Sequence, residues 1–159
     1  GTTVSPSIGG GTNWFSPSYS PRTDLLYVMA YDGETTYYIR EDEYVAGERF
    51  TGGGGVTPLP AANYASAVRA ISPQTGDLEW EYPVQPRSTA GVLSTAGDLV
   101  FSGTVDGFFF ALDANTGEER WHINLGSRVH AGPMSYMVDG RQYVAIAAGN
   151  VLFTFAVRE

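Results

Sequence analysis

Short apolar and aromatic runs recur through the second half of the chain, and glycine, Asp-Gly or asparagine ends each of them. They are LVFSGTV (99–105), FFFALD (108–113), YVAIAAG (143–149) and VLFTFAV (151–157). Runs of this length between turn residues are typical of the strands of all-β proteins. Asp106-Gly107 and Asp139-Gly140 each lie between two runs. They predict tight hairpin turns, because glycine adopts a positive φ at little cost.

A repeat of 41 residues relates two hairpins of the chain. AISPQTGDLEW (70–80) and ALDANTGEERW (111–121) carry Thr-Gly and Trp at the same offsets. In the second copy, the DANTG turn offers a carboxylate and a hydroxyl that can bond neighbouring backbone amides. A tryptophan at a fixed offset from such a turn suits packing between two sheets, with its N–H on a neighbouring carbonyl. We therefore expect Trp80 and Trp121 to be mostly buried between sheets that stack at this period.

The period divides the chain into three antiparallel units, or blades. The predicted strands are 14–19, 25–31, 65–71 and 77–82 in the first blade, 91–97, 99–105, 108–113 and 118–124 in the second, and 128–137, 141–148 and 151–157 in the third. Residues 32–64 form a long insertion within the first blade. A closed ring needs about four blades or more. The predicted fold class for 1–159 is therefore all-β, a β-propeller segment of about three four-stranded blades, the last lacking its outer strand.

Composition narrows the classes of protein that the chain can represent. Of its 159 residues, 43% are hydrophobic and 13% aromatic, which indicates a globular protein. Nine Lys plus Arg against seventeen Asp plus Glu give a net charge of −8, which argues against a nucleic-acid partner. The sequence has no cysteine for a disulfide or a thiolate metal site, and no apolar run long enough to span a bilayer. Because it begins at Gly1 without Met or a signal peptide, we expect a mature, processed or excised piece.

The repeated hairpin carries a resemblance to a known family. Its Ala-x-Asp-x-x-Thr-Gly-x-x-x-Trp pattern resembles the tryptophan-docking motif of the quinoprotein alcohol dehydrogenases, eight-bladed propellers that bind pyrroloquinoline quinone (PQQ). Three colinear blocks also look like the C-terminal third of that family: GGGTNWFSPSYSPRTDLLYV (9–28), STAGDLVFSGTVDGFFFALDANTGEERW (94–121) and AGPMSYMVDGRQYVAIAAGNVLFTFAVRE (131–159). The insertion 32–64 is the least similar part.

The resemblance implies four residues that face the cofactor. Asn13, in the GTNW sequence, lies where the family's asparagine contacts PQQ, and Trp14 beside it would wall the site. Thr89 lies where methanol- and ethanol-oxidising relatives often place a tryptophan, and Asn150 lies near another family contact. PQQ is a planar tricarboxylate orthoquinone, so its site needs amide donors at its oxygens and apolar walls around its rings. The alternatives are a turn residue opening a strand for Asn13 and a blade-packing residue for Trp14.

No catalytic or metal-binding residue is assigned within this sequence. The resemblance implies that the calcium ligands, the aspartate base and the adjacent-cysteine ring lie in upstream blades. His122 and His130 have no Ser or Asp partner at a telling spacing for a hydrolytic triad. Gly52 to Gly55 precede no phosphate-binding motif and are predicted to form a flexible loop. The acidic residues of the insertion lack the spacing of an EF-hand and indicate a solvated loop; they are Asp32, Glu34, Glu41, Asp42 and Glu43.

The insertion 32–64 and its border are rich in aromatic residues. Long excursions between blade strands often carry function. One interpretation is a lid or funnel wall over the active face, or a docking surface for an electron acceptor. The other is a solvated loop that its aromatic side chains hold in place. The aromatic residues are Tyr31, Tyr37, Tyr38, Tyr44, Phe50 and Tyr64.

The resemblance implies the C-terminal part of a periplasmic oxidoreductase. Such an enzyme oxidises a small alcohol with PQQ and calcium and passes electrons to a cytochrome c. The alternative is a non-catalytic propeller scaffold that binds protein partners, although a scaffold has no need of the GTNW sequence. We expect this segment to be inactive by itself. We also expect it to contact the remainder of its propeller, or copies of itself, because both ends present unpaired or bare apolar surface.

Overall fold

The computed structural model describes residues 1–56 and 65–157, and every helix or strand in these residues is a β-strand. The predicted all-β class is confirmed. The strands in chain order are β1 (Thr2–Val4), β2 (Ser18–Ser20), β3 (Leu25–Asp32), β4 (Thr35–Ile39), β5 (Gly53–Val56), β6 (Ala65–Ile71), β7 (Leu78–Val84), β8 (Leu93–Ser94), β9 (Leu99–Gly103), β10 (Phe108–Asp113), β11 (Glu119–Asn124), β12 (Met134–Val138), β13 (Arg141–Ala148) and β14 (Val151–Phe155).

Three of the four antiparallel sheets are the blades that the sequence predicts. The first blade has the order β2-β3-β6-β7, the second β11-β10-β9-β8 and the third β12-β13-β14. One buried apolar cluster joins the first two blades, and a second cluster, around Phe109, Val129 and Ile146, joins the second and third. The buried side chains lie mainly on the middle strands of each sheet, which are β3 and β6, β9 and β10, and β13, and they form the core between the blades.

The tight turns between the strands of each blade contain residues that adopt a positive φ. The first turn of each blade contains an aspartate in the left-handed region, namely Asp24, Asp98 and Asp139, with φ of 56°, 57° and 50°. Aspartate tolerates this region better than most residues because its short polar side chain bonds locally. Gly107 (φ 100°) and Gly140 (φ 77°) complete the two predicted Asp-Gly turns, between β9 and β10 and between β12 and β13.

Trp80 joins the first blade to the repeated turn of the second. Its side chain is 8% exposed, and its Nε1–H donates to the carbonyl oxygen of Ala114 at 3.0 Å. The ring lies over Gly117, where a Cβ would stand 2.6 Å from Trp80 Cε3. The Asp113 carboxylate holds this turn by accepting from the backbone N–H of Asn115 at 2.9 Å. The predicted burial of Trp80 between blades is confirmed.

The corresponding prediction for Trp121 is wrong. This side chain is 39% exposed, and its ring packs edge-on against Phe155 and Phe109. The reason is that a tryptophan at this position is covered by a turn of the next blade. Trp80 of the first blade is covered in this way by the turn at Gly117 of the second blade. In the described residues, the third blade ends at β14 and offers no equivalent turn.

The insertion forms a small sheet instead of a loop. Its strands β4 and β5 pair with each other, and β1 from the start of the chain pairs with β4, giving the order β1-β4-β5. We call these three strands the lobe. The flexible loop predicted for Gly52 to Gly55 is therefore wrong, since Gly53–Val56 form β5. A Cβ at Gly53 would stand 2.3 Å from the Tyr38 carbonyl oxygen, so the close approach of β4 and β5 at this point requires glycine.

Residues 57–64 of the insertion, including Tyr64, lie outside the described residues. Among the residues that are described, no helix is long and apolar enough to cross a membrane.

Candidate functional site

The four predicted cofactor-facing residues lie on one face of the blades. We call the chain that leads into and includes the first strand of a blade, which is β2, β8 or β12, its innermost segment. At this face, the connection between the second and third strands of each blade meets the start of an innermost segment. A backbone hydrogen bond marks each meeting point. The Tyr31 N–H donates to the Gly11 carbonyl at 2.7 Å. The Val129 N–H donates to the Thr104 carbonyl at 3.1 Å, and the Gly149 N–H donates to the Arg128 carbonyl at 2.9 Å. We call this the upper face. It also carries the lobe, which lies between β3 and β6 in the chain.

The innermost segments of the three blades run side by side in a fixed register. Between the first and second blades, Val92 N–H donates to the Ser16 carbonyl at 2.8 Å, and Ser94 N–H donates to Ser18 Oγ at 2.8 Å, a separation of 76 residues. Between the second and third, Gly91 faces Gly132, 41 residues further on. A Cβ at Gly91 would stand 2.8 Å from the Gly132 Cα, so this close approach requires glycine.

This register places Asn13, Thr89 and His130 at equivalent positions of three adjacent blades. Thr89 follows Asn13 by 76 residues, which is the separation between paired residues of the first and second blades. His130 follows Thr89 by 41 residues, which is the separation between facing residues of the second and third blades. Each of the three lies within two residues of a side chain that is buried in the core between blades, namely Phe15, Ala90 and Val129. The three polar side chains therefore form a row along the upper face.

Asn13 and Trp14 begin the innermost segment of the first blade. The Asn13 Nδ2 donates to the Gly9 carbonyl at 3.0 Å, and its Oδ1 accepts from the Trp14 backbone N–H at 2.8 Å. Because an amide group has two N–H donors and two acceptor positions, Asn13 keeps capacity for a ligand while it orders its own loop. The Trp14 side chain is 71% exposed and touches the buried Phe15 at 5.0 Å between ring centroids. Among the described residues, Trp14 makes a ring contact only with Phe15 of its own segment.

Thr89 and His130 are hydrogen-bonded to each other across two blades, with 2.5 Å between Thr89 Oγ1 and His130 Nδ1. The residues beside Thr89 fix its position. Ser88 is fully buried, and its Oγ donates to the Gly103 carbonyl at 2.5 Å and accepts from the Ala90 N–H at 3.1 Å. His130 therefore has a threonine partner that sequence reasoning missed, although the 41-residue separation equals the repeat period.

Arg87 and Tyr31 add a cation and a phenol to the upper face. The Arg87 guanidinium lies 3.8 Å above the centre of the Tyr31 ring, and the Tyr31 hydroxyl donates to the Ser88 carbonyl. Burial raises the pKa of Tyr31, although the Arg87 guanidinium acts against this shift. In the sequence, Tyr31 is one of the aromatic residues at the border of the insertion, and Arg87 stands in no recognisable motif. No local motif marks this pair.

Asn150 lies on the same face but in a separate place. It occupies the exposed turn between β13 and β14, and the neighbouring Gly149 is bonded to Arg128 between the second and third blades. The structure therefore groups Asn13, Trp14, Thr89 and His130 at the innermost segments and sets Asn150 apart in a hairpin turn.

The acidic residues of the insertion do not converge on one point. Asp32 forms an ion pair with Arg69, which lowers the pKa of the Asp32 carboxyl. Asp42 pairs with Arg40 at 2.7 Å. Within residues 1–56 and 65–157, no group of three or more His, Asp or Glu side chains could hold a metal ion.

A second group of polar side chains lies in a groove of about 310 Å³ between the first and second blades. The Tyr82 hydroxyl donates to one Glu119 oxygen, and His122 Nδ1 lies 2.5 Å from the other. A bulge in β11 at Arg120 turns Glu119 toward the same side of the strand as His122. Burial and the Glu119 carboxylate raise the pKa of Tyr82 to about 12, and the bonds from Tyr82 and His122 lower that of Glu119. His122 thus joins a contact between blades rather than the upper face.

Comparison with known proteins agrees with the fold and with the resemblance. The family described as "PQQ: Glucose/ethanol/alcohol dehydrogenase, beta-propeller domain" matches residues 79–144. The quinoprotein alcohol dehydrogenase PedE of Pseudomonas putida is 38% identical over 146 residues, which cover 92% of this chain and 23% of that protein. The predicted quinoprotein alcohol dehydrogenase resemblance is confirmed.

Solved structures show the same relationship in three dimensions. Quinohemoprotein alcohol dehydrogenase ADHIIG from Pseudomonas putida HK5 superposes with a TM-score of 0.82 at 32% identity, over 92% of this chain and 23% of that one. A europium-containing methanol dehydrogenase superposes with a TM-score of 0.80 at 30% identity, over 91% and 26%. The predicted β-propeller segment is therefore confirmed. The chain spans about a quarter of the length of these relatives.

Proposed function

We propose that the chain is the C-terminal part of a PQQ-dependent alcohol dehydrogenase and forms one wall of its quinone site. The observation that carries the proposal is the row of Asn13, Thr89 and His130 on one face, in a segment similar to quinoprotein alcohol dehydrogenases over 92% of its length. A fold alone hosts many functions, so the chemistry of this row has to support the assignment.

The donors on the upper face fit a flat polyanionic quinone. PQQ carries three carboxylates and two quinone oxygens, all of which accept hydrogen bonds. Asn13 offers an amide, His130 an imidazole and Arg87 a guanidinium, and each can donate to such an oxygen. The exposed indole of Trp14 supplies an apolar surface for a ring system.

When bound, PQQ supplies an orthoquinone that takes a hydride equivalent from an alcohol, which leaves as an aldehyde or ketone. In this scheme, Asn13 and Trp14 orient the cofactor, and the lobe shields that side of the site from water. The base that removes the hydroxyl proton and the ligands of the metal come from other blades. Calcium is the metal we propose; the europium of a related methanol dehydrogenase makes a lanthanide the alternative to test.

The proposed setting is the periplasm, with a cytochrome c as the electron acceptor. The whole propeller would be completed by further blades on the same or another polypeptide, which would also cover the exposed side of Trp121. The lobe is the proposed funnel wall, and its outer surface is a candidate docking surface for the acceptor.

Dye-linked oxidation of alcohols by the whole propeller tests this function. With PQQ and calcium or a lanthanide added, we expect reduction of the dye that depends on both the alcohol and PQQ. Cytochrome c should replace the dye as acceptor. A purified propeller that binds partner proteins but reduces no dye with any alcohol and either metal would instead be the non-catalytic scaffold.

A further inference from the structure

Two buried tyrosines lie on β3, one toward each end of the first blade. Tyr27 and Tyr31 are 0% and 3% exposed, and the hydroxyl of each donates to a backbone carbonyl of the second blade. Tyr27 donates to Ala114 at 3.0 Å, in the repeated turn. Tyr31 donates to Ser88, directly before Thr89 on the upper face. The two side chains therefore make the same kind of contact at opposite ends of one strand.

Tyr31 also contacts the chain on both sides of Asn13 and Trp14. Its backbone N–H donates to the Gly11 carbonyl at 2.7 Å, two residues before Asn13. Its ring lies edge-on to that of Phe15, which directly follows Trp14, at 5.3 Å between ring centroids. Asn13 and Trp14 therefore lie between two residues that Tyr31 contacts.

The hydroxyl of Tyr31 extends these contacts to the segment of Thr89. Ser88, which accepts the hydrogen bond, is fully buried. One residue earlier, the Arg87 guanidinium lies over the face of the Tyr31 ring, 3.8 Å from its centre. One side chain therefore links the segment of Asn13 to the segment of Thr89.

We propose that Tyr31 is a positioning residue of the quinone site, whose hydroxyl group holds the segments of Asn13 and Thr89 at a fixed spacing. This proposal rests on the proposed function and adds a residue to the same site. The Tyr31 side chain is buried beneath both segments, so it acts on the quinone only through them. A ligand that contacts two segments binds more tightly when their spacing is already fixed, because less of the binding free energy is then used to order them.

Fluorescence titration of PQQ into the whole propeller measures the effect of the hydroxyl group. Tyr31→Phe keeps the ring and its contacts with Phe15 and Arg87. It should weaken PQQ binding by about 3-fold or more, which is the ordinary effect of one lost hydrogen bond. Tyr27→Phe is the matched control, because it removes the same group from the opposite end of β3, together with its hydrogen bond to Thr23. The control should lower the unfolding midpoint at least as much and should leave PQQ binding unchanged.

A second measurement records the spacing before any ligand is present. The His130 Nδ1 is hydrogen-bonded to Thr89, so its signal reports movement of the segment that Tyr31 holds. With ¹⁵N-labelled histidine, this signal, assigned by its loss in His130→Phe, should shift in Tyr31→Phe and stay unchanged in Tyr27→Phe. If Tyr31→Phe does not fold, Phe15→Leu carries the test, because it removes the ring that Tyr31 contacts, and it should weaken PQQ binding.

The possible outcomes separate the positioning role from the function beneath it. If the wild type binds PQQ and Tyr31→Phe binds it equally well, the positioning role is overturned and the proposed function stands. Equal weakening in Tyr31→Phe and Tyr27→Phe also overturns it, because the hydroxyl then acts only through the stability of the blades. An unchanged His130 signal in Tyr31→Phe has the same consequence. If the wild type neither binds PQQ nor oxidises an alcohol, both proposals fall.

Discussion

Replacing Trp80 by alanine tests the contact that joins the first two blades. The Trp80 ring is buried against Gly117, and its N–H donates to the Ala114 carbonyl at 3.0 Å. Alanine removes both the ring and the donor and opens a cavity between the blades. The Ala114 carbonyl keeps one partner, since it also accepts from the Tyr27 hydroxyl at 3.0 Å. The loss should therefore come mainly from the ring.

The magnitude follows from the area that the ring removes from water. An aromatic side chain buries about 150–250 Å², and at about 25 cal/mol per Å² this is worth about 4–6 kcal/mol. Alanine recovers a small part of that area, and large aromatic truncations in protein cores cost about 3–5 kcal/mol. We expect Trp80→Ala to lower the free energy of unfolding by about 3–5 kcal/mol.

Equilibrium unfolding in urea, followed by circular dichroism, measures this loss. Trp14→Ala is the matched control, because it makes the same substitution at a side chain that is 71% exposed. The control should change the free energy of unfolding by less than about 1 kcal/mol. If Trp80→Ala costs less than about 1 kcal/mol, or no more than the control, then Trp80 does not hold the blades together.

Three further predictions follow from the same structure. The 159-residue chain, purified free of other polypeptides, should not oxidise alcohols with PQQ and calcium added; dye reduction by the chain alone would place the chemistry within it. Light scattering at micromolar concentration should find the chain associated with other blades or with copies of itself, and a stable, soluble 17.1 kDa monomer would contradict this. Bonds from Tyr82 and His122 lower the pKa of Glu119, so their stabilising effect is present above the ordinary pKa of glutamate and is lost as the pH falls through the lowered value. Tyr82→Phe should therefore lower the unfolding midpoint at pH 7 by more than at a pH acid enough to protonate Glu119; an equal effect at both would show that the carboxylate is not involved.

The blades could be predicted from the sequence because local signals define them. Asp-Gly and Thr-Gly turns require particular residues, and the apolar runs between them have the length of strands. The lobe could not be predicted in this way. Glycine is depleted in strands. The strand β5 exists because its backbone pairs with that of β4, and this is a contact between strands rather than a local preference.

In the candidate site, too, some residues could be predicted from the local sequence, whereas others depend on contacts between blades. Asn13, Trp14 and Thr89 were predicted from their resemblance to family positions, whereas His130 becomes visible only when the 41-residue period is applied to the innermost segments. Trp121 was predicted to be buried because its own hairpin copies that of Trp80. Its exposure depends on the following blade, and a hairpin sequence carries no information about its neighbour.

Binding of PQQ by the whole propeller tests most directly whether these residues form a wall of the quinone site. Fluorescence titration should show that Asn13→Ala weakens PQQ binding about 10-fold or more, which is the loss of one hydrogen bond to a charged or strongly polar group. Asn115→Ala is the matched control, because it changes an exposed asparagine in the turn that Trp80 covers, at the opposite ends of the strands. Unfolding midpoints recorded in parallel separate lost binding from lost folding. We expect weaker binding in Asn13→Ala alone; wild-type affinity in that variant, or equal weakening in both, would contradict the assignment.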